Sequence, residues 1–179
     1  MTISSMAVFC GSKTGNDPLF TEHAQQLGYL LADKNITLIY GGGRKGLMGI
    51  IANAVLEKNG KVIGIIPQLL IESEQQHKGI TELIIAHDMH SRKKMLYEKC
   101  DAAVIMPGGI GTLDEFFELL TWNQLSIHNK KVFLLNSNGF YNFLLAHINK
   151  MRGEGFLYEA TQKRIIALSS VEELKAVLS

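Results

Sequence analysis

A chain of 179 residues, 46% of them hydrophobic, is long enough to bury one substantial core, and residues 1–179 are expected to form one domain. Eighteen basic against seventeen acidic residues leave a formal net charge of +1, which lacks the electrostatic footprint of a general nucleic-acid binder. The start MTISSMAVFCGS resembles no secretory leader, no apolar run reaches membrane-spanning length, and Cys10 and Cys100 form no CxxC pair; a cytoplasmic protein with neither disulfide framework nor zinc site is expected.

The first apolar run, 6–10, reads as a strand and leads into CGSKTG. Asp17 and Pro18 then supply an N-cap and a first-turn proline for a helix over 18–33. A second strand, 36–40, leads through YGGGRKGLMG into a helix over 47–58, with Gly60 where a C-cap is expected. After a strand at 62–67, the polar stretch 68–81 is the only long irregular connection and reads as a surface loop. Strand 83–86 and helix 89–99 follow, then strand 102–106, the glycine-rich PGGIGTLDE, and a helix over 113–125. Strand 132–136, a helix over 141–151 with Gly153 at its expected C-cap, a candidate seventh strand at 165–168 and a helix over 171–178 complete the chain. Short apolar strands alternating with segments of helical period predict an α/β fold, a Rossmann-like three-layer sandwich with a parallel sheet of six or seven strands.

In such a sheet ligands bind beyond the carboxyl ends of the strands, and three of those ends are rich in glycine. Gly41, Gly43 and Gly46 satisfy the spacing GxGxxG, but the acidic residue that would hold a dinucleotide ribose about twenty positions later is missing from KVIGIIPQ. GxxxxGK[ST] is absent too, which argues against a P-loop hydrolase. Any one of these glycine stretches would serve equally well as a tight turn; three converging on one rim favour a ligand of mononucleotide size. PGGIGTLDE joins glycines before a helix, suited to an anion, with two adjacent carboxylates suited to a cation. MHSRKKM adds Arg92, a planar fork for carboxylate or phosphate, and Lys93, a point charge, at the same end of the sheet. His87 and His90 have no third partner for a metal and read as hydrogen-bonding residues.

CGSKTG, YGGGRKGLMG, MHSRK and PGGIGTLDEFFELLTWNQL together resemble the LONELY GUY family of nucleoside 5′-monophosphate phosphoribohydrolases, over nearly the whole chain. The lysine decarboxylase label that such sequences often carry finds no support, since no lysine context for a pyridoxal phosphate Schiff base is recognisable. The resemblance implies hydrolysis of the N-glycosidic bond of AMP or an N6-modified AMP, without a cofactor, by a homodimer. It implies catalytic roles for Arg92 and Glu115. Substrate-binding positions are Lys93, Pro107, Gly108, Gly109, Ile110, Gly111 and Thr112, with Ser12, Gly42, Gly43, Glu74 and Thr121 beside them. Ser126 and Lys131 stand where many members carry Gly and Pro.

These roles suit the chemistry. An oxocarbenium-like transition state is stabilised by a carboxylate, which also activates water, and a Glu115 in the first turn of its helix is expected to stay ionised. Adjacent helical residues point apart, so Asp114 is expected to face elsewhere. Two other readings remain open at this level: a non-catalytic nucleotide carrier or sensor of the same fold, and, less well supported, an NAD-dependent oxidoreductase.

Overall fold

The computed structural model describes residues 3–71, 76–158 and 163–178. Seven strands form one sheet: β1 (Ser5–Phe9), β2 (Thr37–Tyr40), β3 (Val62–Pro67), β4 (Glu82–Ala86), β5 (Ala102–Ile105), β6 (Val132–Leu135) and β7 (Ile165–Leu168). All neighbours pair in parallel, in the order β4-β3-β2-β1-β5-β6-β7. The candidate seventh strand is therefore real, with Ile165 opposite Val132 and Leu168 opposite Leu135. The direction of winding reverses between β1 and β5, which makes their carboxyl ends the crevice where an open α/β sheet takes a ligand.

The helices among the described residues are α1 (Pro18–Asp33), α2 (Gly46–Glu57), α3 (Met89–Glu98), α4 (Ile110–Gln124), α5 (Asn142–Gly153) and α6 (Val171–Val177). Side chains alternate across each strand. Met6 and Val8 of β1 join Leu38 and Tyr40 of β2 in one core beneath α1, α2 and α6, while Ala7, Phe9 and Ile39 join the other core beneath α3, α4 and α5. The sandwich thus has three layers. The central strands are buried on both faces, as their uninterrupted apolar runs require.

Asp17 caps α1 as expected, its Oδ1 accepting from the Leu19 N–H at 2.9 Å ahead of Pro18. Three helix ends differ from expectation. At α2 the left-handed position is taken by Asn59 (φ 57°), and Gly60, one residue later, donates to the Val55 carbonyl at 2.9 Å. At α5 the left-handed residue is Gly155 (φ 77°), with Gly153 still helical. The start of α4 lies at Ile110, three residues before the expected start, because Gly109 is the N-cap and Gly111, a poor helix former, sits inside the first turn. Glu115 is consequently in the second turn of α4. It therefore lies beyond the first turn, where the helix dipole acts.

Candidate active site

At the end of β1 the chain turns through Cys10, Gly11 and Ser12, and the Gly11 N–H donates to the Pro107 carbonyl beyond β5 at 3.0 Å. The start of α2 is drawn to the same place, the Leu47 N–H donating to the Gly11 carbonyl at 3.1 Å. Gly46, with φ 58°, has room for no Cβ there: one would lie 2.3 Å from the Ser12 carbonyl carbon. Three glycine-rich strand ends are in this way packed against one another.

Between them and the starts of α3 and α4 lies a cleft of about 260 Å³, lined by Ser12, Gly41, Arg92, Gly109, Ile110, Gly111, Thr112, Asp114 and Glu115, with Cys10, Met48 and Met89 at its walls. An adjoining groove of about 380 Å³ shares Gly11, Ser12 and Gly109 with it and continues along Pro107 and Gly108 to the edge-on rings of Phe20 and Phe140. Either hollow alone is at the small end of ligand sites; joined, they are of ordinary size.

Arg92 is buried, and its charge is held from several sides. Nε donates to the Ile65 carbonyl at 3.2 Å, Nη1 lies 4.0 Å from the Met89 sulfur, and Nη2 lies 3.8 Å from Oε1 of Glu115. That last separation is an ion pair too long for a hydrogen bond. Gly41 makes the room: a Cβ on it would stand 2.4 Å from Arg92 Nη2. The Glu115 side chain is 12% exposed, enclosed but in reach of solvent. Burial first, then the negative charge of Glu115, pushes the Cys10 thiol well above its ordinary range, so Cys10 is a neutral wall of the cleft.

Asp114 touches the cleft, but its carboxylate turns to Lys93 rather than Arg92. Its carboxylate is 56% exposed and pairs with Lys93 Nζ at 3.2 Å, and Lys93 also reaches Glu118 at 2.9 Å. Partial burial works against the Lys93 charge, but its hydrogen bonds to Glu118 and Asp114 outweigh this and raise its affinity for the proton. Asp88 caps α3 by accepting from the Ser91 N–H at 2.7 Å, and hydrogen bonds from Ser91, assisted by His87, lower its carboxyl to about 2. His87 is exposed at this cap. Among the described residues no three His, Cys, Asp or Glu side chains gather in a metal-binding group.

The expected binding positions divide into those in the cleft and those beyond it. Gly109, Ile110, Gly111 and Thr112 form the first turn of α4 and its cap, whose N–H groups have no intrahelical partners; the open space where a Cβ would stand on Gly109 or Gly111 faces the hollow. Gly108 is needed for packing, since its Cβ would lie 2.2 Å from the Thr112 hydroxyl oxygen. Gly42 and Gly43 sit one step outside, where the Gly42 carbonyl accepts from the His77 N–H at 2.9 Å and Gly43 bridges Gln76. Gly42 is left-handed, at φ 79°. Thr121 is exposed and donates to the Phe117 carbonyl at 2.8 Å, six residues and roughly 9 Å along α4 from Glu115. Glu74 lies outside the described residues. Two contributors were not anticipated from sequence. In sequence Gly41 is only part of a spacing pattern, and the Ile65 carbonyl, a backbone group, carries no sequence signal at all.

Comparison with known proteins bears on the family and the fold. A family model described as "Possible lysine decarboxylase" matches residues 48–178. The cytokinin riboside 5′-monophosphate phosphoribohydrolase of Rhodococcoides fascians is 44% identical over 172 residues, covering 96% of this chain and 87% of that protein. The Arabidopsis thaliana enzyme LOG7, of the same name, is 43% identical over 94% of this chain and 78% of its own length. Among solved structures, the molybdenum cofactor binding protein of Rippkaea orientalis superposes with a TM-score of 0.73 at 22% identity, covering 100% of this chain and 99% of that one. The molybdenum cofactor carrier protein of Chlamydomonas reinhardtii gives 0.72 at 18%, over 97% and 94%. At those identities the structural matches establish the fold alone. With its family model and its full-length relatives in agreement, the chain belongs to the LONELY GUY family, that of the cytokinin riboside 5′-monophosphate phosphoribohydrolases.

Proposed function

We propose that this chain hydrolyses the N-glycosidic bond of AMP and of N6-modified nucleoside 5′-monophosphates, releasing the free base and ribose 5-phosphate. The observation that carries the reading is the enclosed Arg92–Glu115 pair facing the open N-terminus of α4 across one cleft. The 5′-phosphate sits on the N–H groups of Ile110, Gly111 and Thr112, where unpaired donors and the helix dipole both favour an anion. This sets the ribose toward Glu115. As the glycosidic bond stretches, its electron pair leaves with the base, which takes up a proton from solvent, while positive charge develops on the sugar ring; the Glu115 carboxylate stabilises that charge and takes the proton of the attacking water. Arg92, fixed by the Ile65 carbonyl, holds the carboxylate and the sugar oxygens in register.

The chain acts as a homodimer in this reading. Phe116, Leu119 and Leu120, an apolar stripe that would also suit a partner, are buried in the protomer's own core. The exposed face of α4 carries Ile110, Phe117 and Leu125 instead, with Thr121 among them at helical spacing. Antiparallel packing of two such faces directs Thr121 of one copy toward the Ile110 end of the other, the arrangement in which it serves as a binding position.

Comparing kcat/KM for AMP, isopentenyl-AMP, GMP, CMP and adenosine tests the assignment. AMP or isopentenyl-AMP is cleaved, and adenosine is poor in both turnover and binding, because phosphate contacts orient the sugar for reaction. Adenosine cleaved as efficiently as AMP would overturn the phosphate anchor. Prolonged binding of AMP without cleavage would favour a carrier or sensor.

A further inference from the structure

Beside the proposed catalytic pair stands a second set of charges, in which Lys93, an expected binding residue, is engaged by carboxylates of α4. Adjacent residues leave a helix about 100° apart, so Arg92 and Lys93 project from α3 in different directions, as Asp114 and Glu115 do from α4. Arg92 turns to Glu115, and Lys93 turns to Asp114 and Glu118. The same Glu118 oxygen, Oε2, accepts from the Tyr97 hydroxyl at 2.8 Å. Tyr97 is fully buried, edge-on to Trp122 of α4 at 5.1 Å and tilted against Phe9 of β1 at 5.9 Å, so its hydroxyl is held by three elements at once.

We propose that Glu118 and Tyr97 are positioning residues: Tyr97 orients Glu118, Glu118 with Asp114 occupies Lys93, and Glu115 is thereby kept as the one carboxylate left to Arg92. This rests on the hydrolase reading of the cleft. Three carboxylates of α4 face two cations of α3, and the division of partners decides which carboxylate meets the substrate. Without Glu118, Lys93 is held by Asp114 alone and is free to swing to Glu115, competing with Arg92 for its carboxylate. The titratable and charged groups around Glu115 are Arg92, Lys93 and Tyr97 from α3, Asp114 and Glu118 from α4, and Cys10 after β1. Removing the Glu118 charge makes the surroundings of Glu115 less negative, so its proton is held less tightly.

Two near-isosteric variants test this, Glu118→Gln and Tyr97→Phe, the latter keeping both ring contacts. With AMP and isopentenyl-AMP as substrates, Glu118→Gln is expected to lower kcat about tenfold with KM within about twofold, and Tyr97→Phe to lower it less. The double variant is expected to be no worse than Glu118→Gln, because Tyr97 acts through Glu118. The acidic limb of the kcat profile moves to lower pH in Glu118→Gln, by about 0.5 pH unit or more. A ¹³C NMR titration of the Glu115 carboxyl shows the same downward shift without needing turnover. A parent chain that cleaves neither nucleotide would defeat the hydrolase reading, while the titration would still decide the positioning role. An unshifted Glu115 titration in a folded Glu118→Gln variant would overturn it.

Discussion

Glu115 and Asp114 are neighbours in sequence with opposite surroundings, one enclosed beside Arg92 and the other largely exposed beside Lys93. Glu115→Gln is therefore expected to lower turnover by orders of magnitude, and Arg92→Ala likewise, whereas Asp114→Asn is milder; steady-state kinetics on folded variants check all three. Gly41→Ala should act through Arg92. The added methyl would stand 2.4 Å from Nη2 and displace the guanidinium from Glu115, so kcat is expected to fall at least about tenfold with little change in melting temperature. The charged members of the cleft were legible in sequence because MHSRK and PGGIGTLDE carry them in fixed spacing. Gly41 was not singled out, since a glycine admitting a neighbour's side chain looks the same in sequence as one making a turn. The Ile65 carbonyl was invisible for the plainer reason that every residue has one.

Among the elements, helix ends show most clearly where sequence reading runs out. The Asp17 cap, marked in sequence by the proline after it, lies where expected, whereas the side-chain caps at Asp88 and Ser170 are found only in the structure, and α4 begins three residues early because its first turn contains a glycine that propensity counts against a helix. The far end of α4 holds a substitution with a measurable cost. Ser126 adopts φ 58°, and its N–H donates to the Asn123 carbonyl at 3.1 Å while Ile127 donates to Trp122 at 3.0 Å, a closure that favours glycine. Ser126→Gly is expected to stabilise the fold by about 1 kcal/mol, read as a rise of about 2–4 °C in melting temperature. At the amino-terminal ends of the central strands, Asp101 fastens β5 to β1 by accepting from both the backbone and the hydroxyl groups of Ser4 and Ser5. Partial burial opposes its charge, but those four hydrogen bonds outweigh it and depress the carboxyl's proton affinity. A depressed folded value stabilises above the unfolded value of about 4 and is lost as pH falls through the folded one. Asp101→Ala should accordingly flatten the acid branch of the stability curve, measured by urea unfolding between about pH 2 and pH 5.

Across the whole molecule, alternation of apolar runs with helical period was enough to predict the parallel sheet, but the strand order was not. That order depends on which crossovers turn back, and only the reversal between β1 and β5 brings CGSKTG, YGGGRKG and PGGIGT to a single crevice. On α4 a core and a partner ask for the same apolar residues; burial assigns Phe116, Leu119 and Leu120 to the core and leaves Ile110, Phe117 and Leu125 outside. If the proposed dimer forms through this face, Phe117→Asp is expected to yield a monomer by light scattering and to reduce activity, and a fully active monomer would contradict the shared site. The central claim, glycosidic cleavage by Glu115 in a cleft anchored on phosphate, is met most directly by incubating AMP and isopentenyl-AMP with the parent chain and with Glu115→Gln, in chelator, and separating the products. Equal amounts of free base and ribose 5-phosphate from the parent, with release slowed by orders of magnitude in the variant, are the predicted result; intact nucleotide from both, or equal release from both, would contradict it.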